Sequence, residues 1–134
     1  MSFEELPHTA DILIRVHAGS LEELFSESAA AMMTVMYGNP ENGNERREIA
    51  VSSSDISLLL VDFLSELLFV SESERLVFSE CRVTLAGSTL LAVLTGERFD
   101  PGRHGGTEVK GISYSGVAIE QQPSGYQVDI LFDV

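Results

Sequence analysis

The sequence predicts an α+β protein, with two helices packed on a largely antiparallel sheet of about seven or eight strands in a single two-layer domain. Three observations carry this. Two long segments repeat apolar residues at helical spacing, the remaining apolar residues fall in short alternating runs, and four of those runs are joined in pairs by short turn sequences. A length of 134 residues fits one domain over 1–134. There is no internal repeat, low-complexity tract or linker.

Taken in order, Ile12, Ile14 and Val16 alternate with Leu13, Arg15 and His17, the pattern of a half-buried strand. His17 sits late in this run and reads as an exposed or half-buried side chain. Ser20 followed by Glu23 fits a capping box, and Leu21, Leu24, Phe25, Ser28, Ala29, Met32 and Met36 share one face, so a helix is expected over 20–37. Met32, Met33 and Met36 read as core packing. The run 38–44, Gly-Asn-Pro-Glu-Asn-Gly-Asn, reads as a mobile loop leading to a short strand over 47–51.

A second helix starts near Ser54 and Asp55, whose side chains can satisfy free amides, and puts Ile56, Leu59, Leu60, Phe63, Leu64, Leu67 and Leu68 on one broad face before ending ahead of Arg75. Strands over 77–85 and 89–95 flank Ala86-Gly87-Ser88 as a hairpin. The glycines and proline of 100–106 exclude regular structure there. Runs 117–121 and 126–132 flank Gln122-Pro123-Ser124-Gly125 as a second hairpin.

Charge narrows the function. There are 21 acidic residues against 8 Lys and Arg, a formal charge of −13, and the only lysine is Lys110. A chain that grips nucleic acid by itself gains affinity from cations that displace counterions, so strong direct RNA binding is not expected. The acidity serves solubility, attraction to cations, or attraction to a basic protein partner. Cys81 is the single cysteine and can make no internal disulfide or thiolate pair, which favours the cytosol. The first six residues lack the basic and apolar segments of a signal peptide. The most apolar stretch, 56–70, contains Asp62 and Glu66 and is too short for a bilayer core of about 30 Å. A soluble, cytoplasmic protein with no membrane partner is expected.

No P-loop, GxGxxG, HExxH or GxSxG occurs, and His8, His17 and His104 lack metal-ligand spacing. A self-sufficient enzyme is therefore not expected. Three segments instead put polar residues at strand ends: Pro7-His8-Thr9-Ala10-Asp11, the stretch from Glu97-Arg98-Phe99-Asp100 through His104 to Tyr114, and the final residues from Asp129 to Val134.

These segments resemble the archease family. The match is carried by Phe3-Glu4-Glu5-Leu6-Pro7-His8-Thr9-Ala10-Asp11, by Ser20-Leu21-Glu22-Glu23-Leu24-Phe25, by Gly96-Glu97 with Phe99-Asp100 and His104, by Thr107-Glu108-Val109-Lys110, and by Phe132-Asp133-Val134. The blocks run in family order along the whole chain; the glycine-rich run 102–106 departs from the pattern. The resemblance implies a divalent-metal site of Asp11, Asp133 and Val134, and contacts to a partner or its nucleotide through Lys110, with His8, Glu97, Asp100 and His104 as further candidates.

The residues add their own reason for the last two ligands. An apolar strand ending at Phe132 would hold a terminal carboxylate of Val134 near that of Asp133, and a main-chain carboxylate need not follow the strand's alternation. Taken alone, the residues also leave open that Asp11 and Asp133 are ordinary strand-end carboxylates, that Lys110 is a solvated lysine or a partner for Glu108 or Asp100, and that 97–104 is a surface connection. An all-oxygen donor set suits a hard cation, calcium first, with magnesium or manganese as alternatives.

The resemblance further implies the function. Archeases assist the RtcB-class RNA ligase, which joins ends bearing a 2′,3′-cyclic phosphate or 3′-phosphate to 5′-hydroxyl ends in tRNA splicing and RNA repair; they promote its guanylylation and multiple turnover. A general chaperone or calcium-stabilised interaction module is the alternative, and a metal-dependent phosphoesterase a more distant one.

Overall fold

The computed structural model describes residues 1–6 and 11–134. Strand β1, Ser2–Leu6, pairs antiparallel with β2, Ile12–Ala18. Ser20, still extended in its backbone, accepts a hydrogen bond from the Glu23 amide at 3.2 Å and so forms the N-cap of helix α1, Leu21–Tyr37. The Glu23 carboxylate meets the Ser20 hydroxyl at 3.3 Å. Gly38, at φ 82°, ends the helix with its amide on the Thr34 carbonyl.

Strand β3, Glu45–Ser52, leads to helix α2, Ile56–Glu74. Asp55 caps it by accepting from the Ser57 and Leu58 amides at 2.8 and 3.0 Å. The exit is a left-handed Arg75 at φ 55°, whose amide bonds the Ser71 carbonyl. A long hairpin follows, β4 over Leu76–Ala86 and β5 over Thr89–Arg98, turned by Gly87 at φ 62°, a value glycine adopts without steric cost. The chain closes with β6, Gly111–Ile112, β7, Glu120–Gln122, and β8, Gly125–Asp133.

The strands divide between two antiparallel sheets. One runs β1-β2-β8-β6 with β7 also paired to β8, and the other runs β3-β5-β4. Both helices touch both sheets: α1 packs on β2 and β4, and α2 on β3, β4 and β6. The core lies between these layers. Ile14 and Val16 from β2, and Val128, Ile130 and Phe132 from β8, are buried against Phe25 and Phe63, whose rings stack at 6.2 Å. Alternation leaves Leu13, Arg15, Asp129, Leu131 and Asp133 on the opposite face of the five-stranded sheet. There Arg15 holds Asp129 through two bonds of 2.8 and 3.1 Å between directly opposed residues.

Two expectations need amendment. The strand expected over 117–121 is paired only from Glu120, because the Ile119 amide goes instead to the Ser57 hydroxyl of α2 at 3.1 Å. The segment 38–44 is tied down: the Glu41 amide bonds Glu97, the Asn42 side chain accepts from Ser79, and Gly43 lies so close to the Gly96 carbonyl that a Cβ would meet it at 2.2 Å. Among the described residues no helix is long and apolar enough to cross a membrane.

Candidate functional site

The pairing of β2 with β8 ends at Ile12 opposite Phe132. Asp11 immediately precedes β2, in a bend, and Asp133 is the last residue of β8, so the pairing brings the segments that carry them to the same end of the sheet. By alternation Asp133 belongs to the face of Arg15 and Asp129, away from the helices. On the other side of β8, Gly111 pairs with Asp133, and the Lys110 amide donates to the Asp133 carbonyl at 2.7 Å. Lys110 therefore borders the same end of the sheet, with its side chain exposed. Gly111 borders Asp133 without crowding it: a Cβ there would lie 4.0 Å from Asp133 Oδ2, an ordinary contact. The Val134 side chain packs on the core, which anchors the backbone that follows Asp133.

The ligands that the resemblance implies, Asp11, Asp133 and a main-chain oxygen of Val134, would offer oxygen without nitrogen or sulfur, a set matched to a hard divalent cation. Among the described residues no group of three or more His, Cys, Asp or Glu side chains forms a metal site. The proposed set contains two such side chains. His8 lies outside the described residues. Cys81 is unsuited to ligation at neutral pH, since its partly buried setting pushes the thiol up to about 12.

The other sequence-derived candidates gather in one loop. Asp100 accepts the Arg103 and His104 amides on its carbonyl and the Gly102 amide on its carboxylate, closing a tight turn. Its own amide donates to His104 Nδ1 at 2.9 Å. That nitrogen must then be unprotonated, so Nε2 carries the proton and donates to Glu97 Oε2 at 3.1 Å. Glu97 also accepts the Glu41 amide and pairs with Arg103. Arg103 first, with the Glu41 amide, pulls the Glu97 carboxyl down to about 2. His104 is only 5% exposed. Glu97, Asp100 and His104 are thus brought together, with their polar atoms engaged inside the loop.

Further residues complete this region, of which the sequence had singled out only Phe99 and Glu108. The loop and the C-terminal ends of both helices enclose a groove of about 420 Å³ lined by Tyr37, Ser71, Glu72, Arg75, Phe99 and Glu108 among others. The Arg75 guanidinium lies 5.1 Å from the Phe99 ring centre. Ser71 donates to the Leu76 carbonyl, so Tyr37 supplies the proton of its 2.8 Å bond to Ser71. No local pattern marks these positions, because they are contributed by three separated segments.

The sequence model of the archease protein family (MTH1598/TM1083) matches residues 3–134. The chain belongs to the archease family. Protein archease of Methanosarcina acetivorans is 33% identical, covering 98% of this chain and 95% of its own length. Protein archease of Pyrococcus abyssi is 40% identical over 92% of this chain and 91% of its own. Among solved structures, the solution structure of Methanobacterium thermoautotrophicum protein 1598 superposes with a TM-score of 0.87 at 29% identity, covering 98% of both chains. An archease of Thermotoga maritima, described as a possible chaperone, shares the fold at a TM-score of 0.71 and 21% identity, with 98% of this chain and 96% of that chain covered. The names borne by these archeases specify no enzymatic reaction.

Proposed function

We propose that this chain is a non-catalytic activator of an RtcB-class RNA ligase, promoting its guanylylation and multiple turnover in tRNA splicing and RNA repair. Asp11 and Asp133, with a main-chain oxygen of Val134, would hold a divalent cation, calcium first. The observation that supports this most is the pairing of β2 with β8, which brings the strand that follows Asp11 against the strand that ends at Asp133, beside Lys110 and Gly111. Bound there, the cation would supply positive charge for phosphate oxygens. Lys110 adds a fixed charge at the same sheet end and can orient a phosphate. The net charge of −13 suits approach to the positive channel that an RNA ligase must present.

The test has two readouts. Calcium that binds only the folded chain stabilises it by about 2.7 kcal/mol at a hundredfold excess over the dissociation constant. A calcium-dependent rise in Tm is therefore expected for the unmodified chain and should vanish in Asp11→Ala and Asp133→Ala. The same variants should fail to stimulate guanylylation and turnover of the purified ligase; full stimulation by both would end the metal-site reading.

The description of the Thermotoga maritima relative as a possible chaperone supports a second reading, a general chaperone or calcium-stabilised interaction module. That reading expects suppression of aggregation of many proteins without an effect on ligation turnover. A phosphoesterase would instead cleave RNA with metal and no ligase present.

A further inference from the structure

Helix α2 carries Asp62, Glu66, Glu72 and Glu74 and no lysine or arginine. Glu72 and Glu74 occupy its last turn, where the helix's own carbonyl ends already make the potential negative. Arg47 neutralises Glu74 at 2.6 Å. Among the described residues no cation does so for Glu66 or Glu72.

The outer face of this helix is also unusually apolar. Leu58, Asp62, Ser65 and Phe69 follow one another at spacings of four, three and four residues, forming one stripe. Phe69 is 64% exposed and Leu58 43%. Tyr114, from the segment after β6, is 54% exposed and donates to Asp62 Oδ1 at 2.8 Å, which ties its hydroxyl to the middle of the stripe. The result is an exposed apolar patch of Leu58, Tyr114 and Phe69 spread over about 16 Å of the helix, with the carboxylates of Glu66 and Glu72 on the same helix. Glu66 and Glu72 stand one turn either side of Phe69, and Glu72 continues into the groove beside Phe99.

We propose that the outer face of α2 is a docking surface for a basic, apolar-centred segment of a partner protein. An arginine or lysine of the partner sits over the Phe69 ring between Glu66 and Glu72, and an apolar side chain covers Leu58 and Tyr114. Charge selects this occupant. Nucleic acid and anionic lipid are repelled by the rim, and a second copy of the chain would oppose one acidic ridge to another. The proposal rests on the functional reading in one respect, that the RtcB-class ligase is taken as the partner.

Titration of the full chain against the ligase of the same organism, with turnover read in the same samples, tests it. Phe69→Ser removes an exposed ring, so the fold and its Tm should persist while affinity falls about tenfold or more. The double variant Glu66→Lys with Glu72→Lys should lose binding more severely. Glu48→Lys with Glu120→Lys, an equal change of charge at exposed positions on other elements, should stay within about threefold of the unmodified chain. If Phe69→Ser binds as tightly as the unmodified chain, or the control pair loses as much as the α2 pair, the surface is wrong while the functional reading stands. If the unmodified chain neither binds nor stimulates the ligase, both fall together.

Discussion

Glu97 concentrates several roles on one carboxylate. It receives Arg103, the Glu41 amide and the Nε2 proton of His104, and so joins the segment 38–44 to the turn at 100–104. Its carboxyl is lowered from 4.5 to about 2, chiefly by the hydrogen bond from Arg103. A carboxyl whose folded value is depressed contributes stability above its unfolded value and loses it as pH falls through the folded one. For Glu97 the window runs from about 4.5 down to about 2. Glu97→Gln should therefore be less stable than the parent at pH 7 and lose less on acidification through that window. Urea unfolding at stepped pH measures the difference; parallel acid limbs for parent and variant would refute it. The sequence marked Glu97, Asp100 and His104 as polar residues gathered at a strand end. It did not show that they bond to one another, since that depends on how 100–104 turns and on the distant Glu41.

Among the elements, the glycine-rich stretch 102–106 separates two kinds of glycine. A Cβ on Gly106 would lie 2.5 Å from the Val35 carbonyl and 2.6 Å from that of Met36, so the loop meets the end of α1 at backbone contact, and the Thr107 amide donates to Val35 there. Gly105 has nothing within 4 Å. Gly106→Ala should cost about 1–3 kcal/mol, the usual penalty for forcing an atom into a filled space, whereas Gly105→Ala should stay within about 0.5 kcal/mol. Chemical denaturation of the two variants checks this, and equal losses would contradict it. The helices were legible because Ser20 and Asp55 announce their starts and the 3.6-residue period persists for several turns. Strand β1 was not, because Ser-Phe-Glu-Glu-Leu has no sustained alternation and is a strand by virtue of pairing with β2. The 117–119 segment misled in the other direction, since its apolar residues pack toward α2 and one amide bonds Ser57.

At the scale of the molecule, a net charge of −13 with carboxylates along both helices makes encounter with a basic partner depend on long-range attraction. Salt shortens that reach from about 10 Å at 0.1 M to about 3 Å at 1 M. The association rate with the ligase should fall steeply with added sodium chloride while the dissociation rate changes little. Surface-bound kinetics at several salt concentrations would show it, and an association rate indifferent to salt would argue against electrostatic docking. Alternation identified most strands but could not say which of them share a sheet. The division into two sheets, and the meeting of residues near opposite ends of the chain, follow from long-range pairing that no local window contains. Asp11 and Asp133 were legible as candidates through family likeness, and that the strand after Asp11 neighbours the strand ending at Asp133 only through β2 lying on β8.

Strand β8 is bordered by β2 on one side and by β6 and β7 on the other. Translation produces it after every other described element, so a nascent chain can complete the β3-β5-β4 sheet while β2 still lacks its neighbour. Ile14 and Val16 then await their cross-strand mates, and Asp11 stands without Asp133, until residues 125–133 leave the ribosomal exit tunnel. The five-stranded sheet is thereby completed only once residues 125–133 can enter between β2 and the pair β6 and β7.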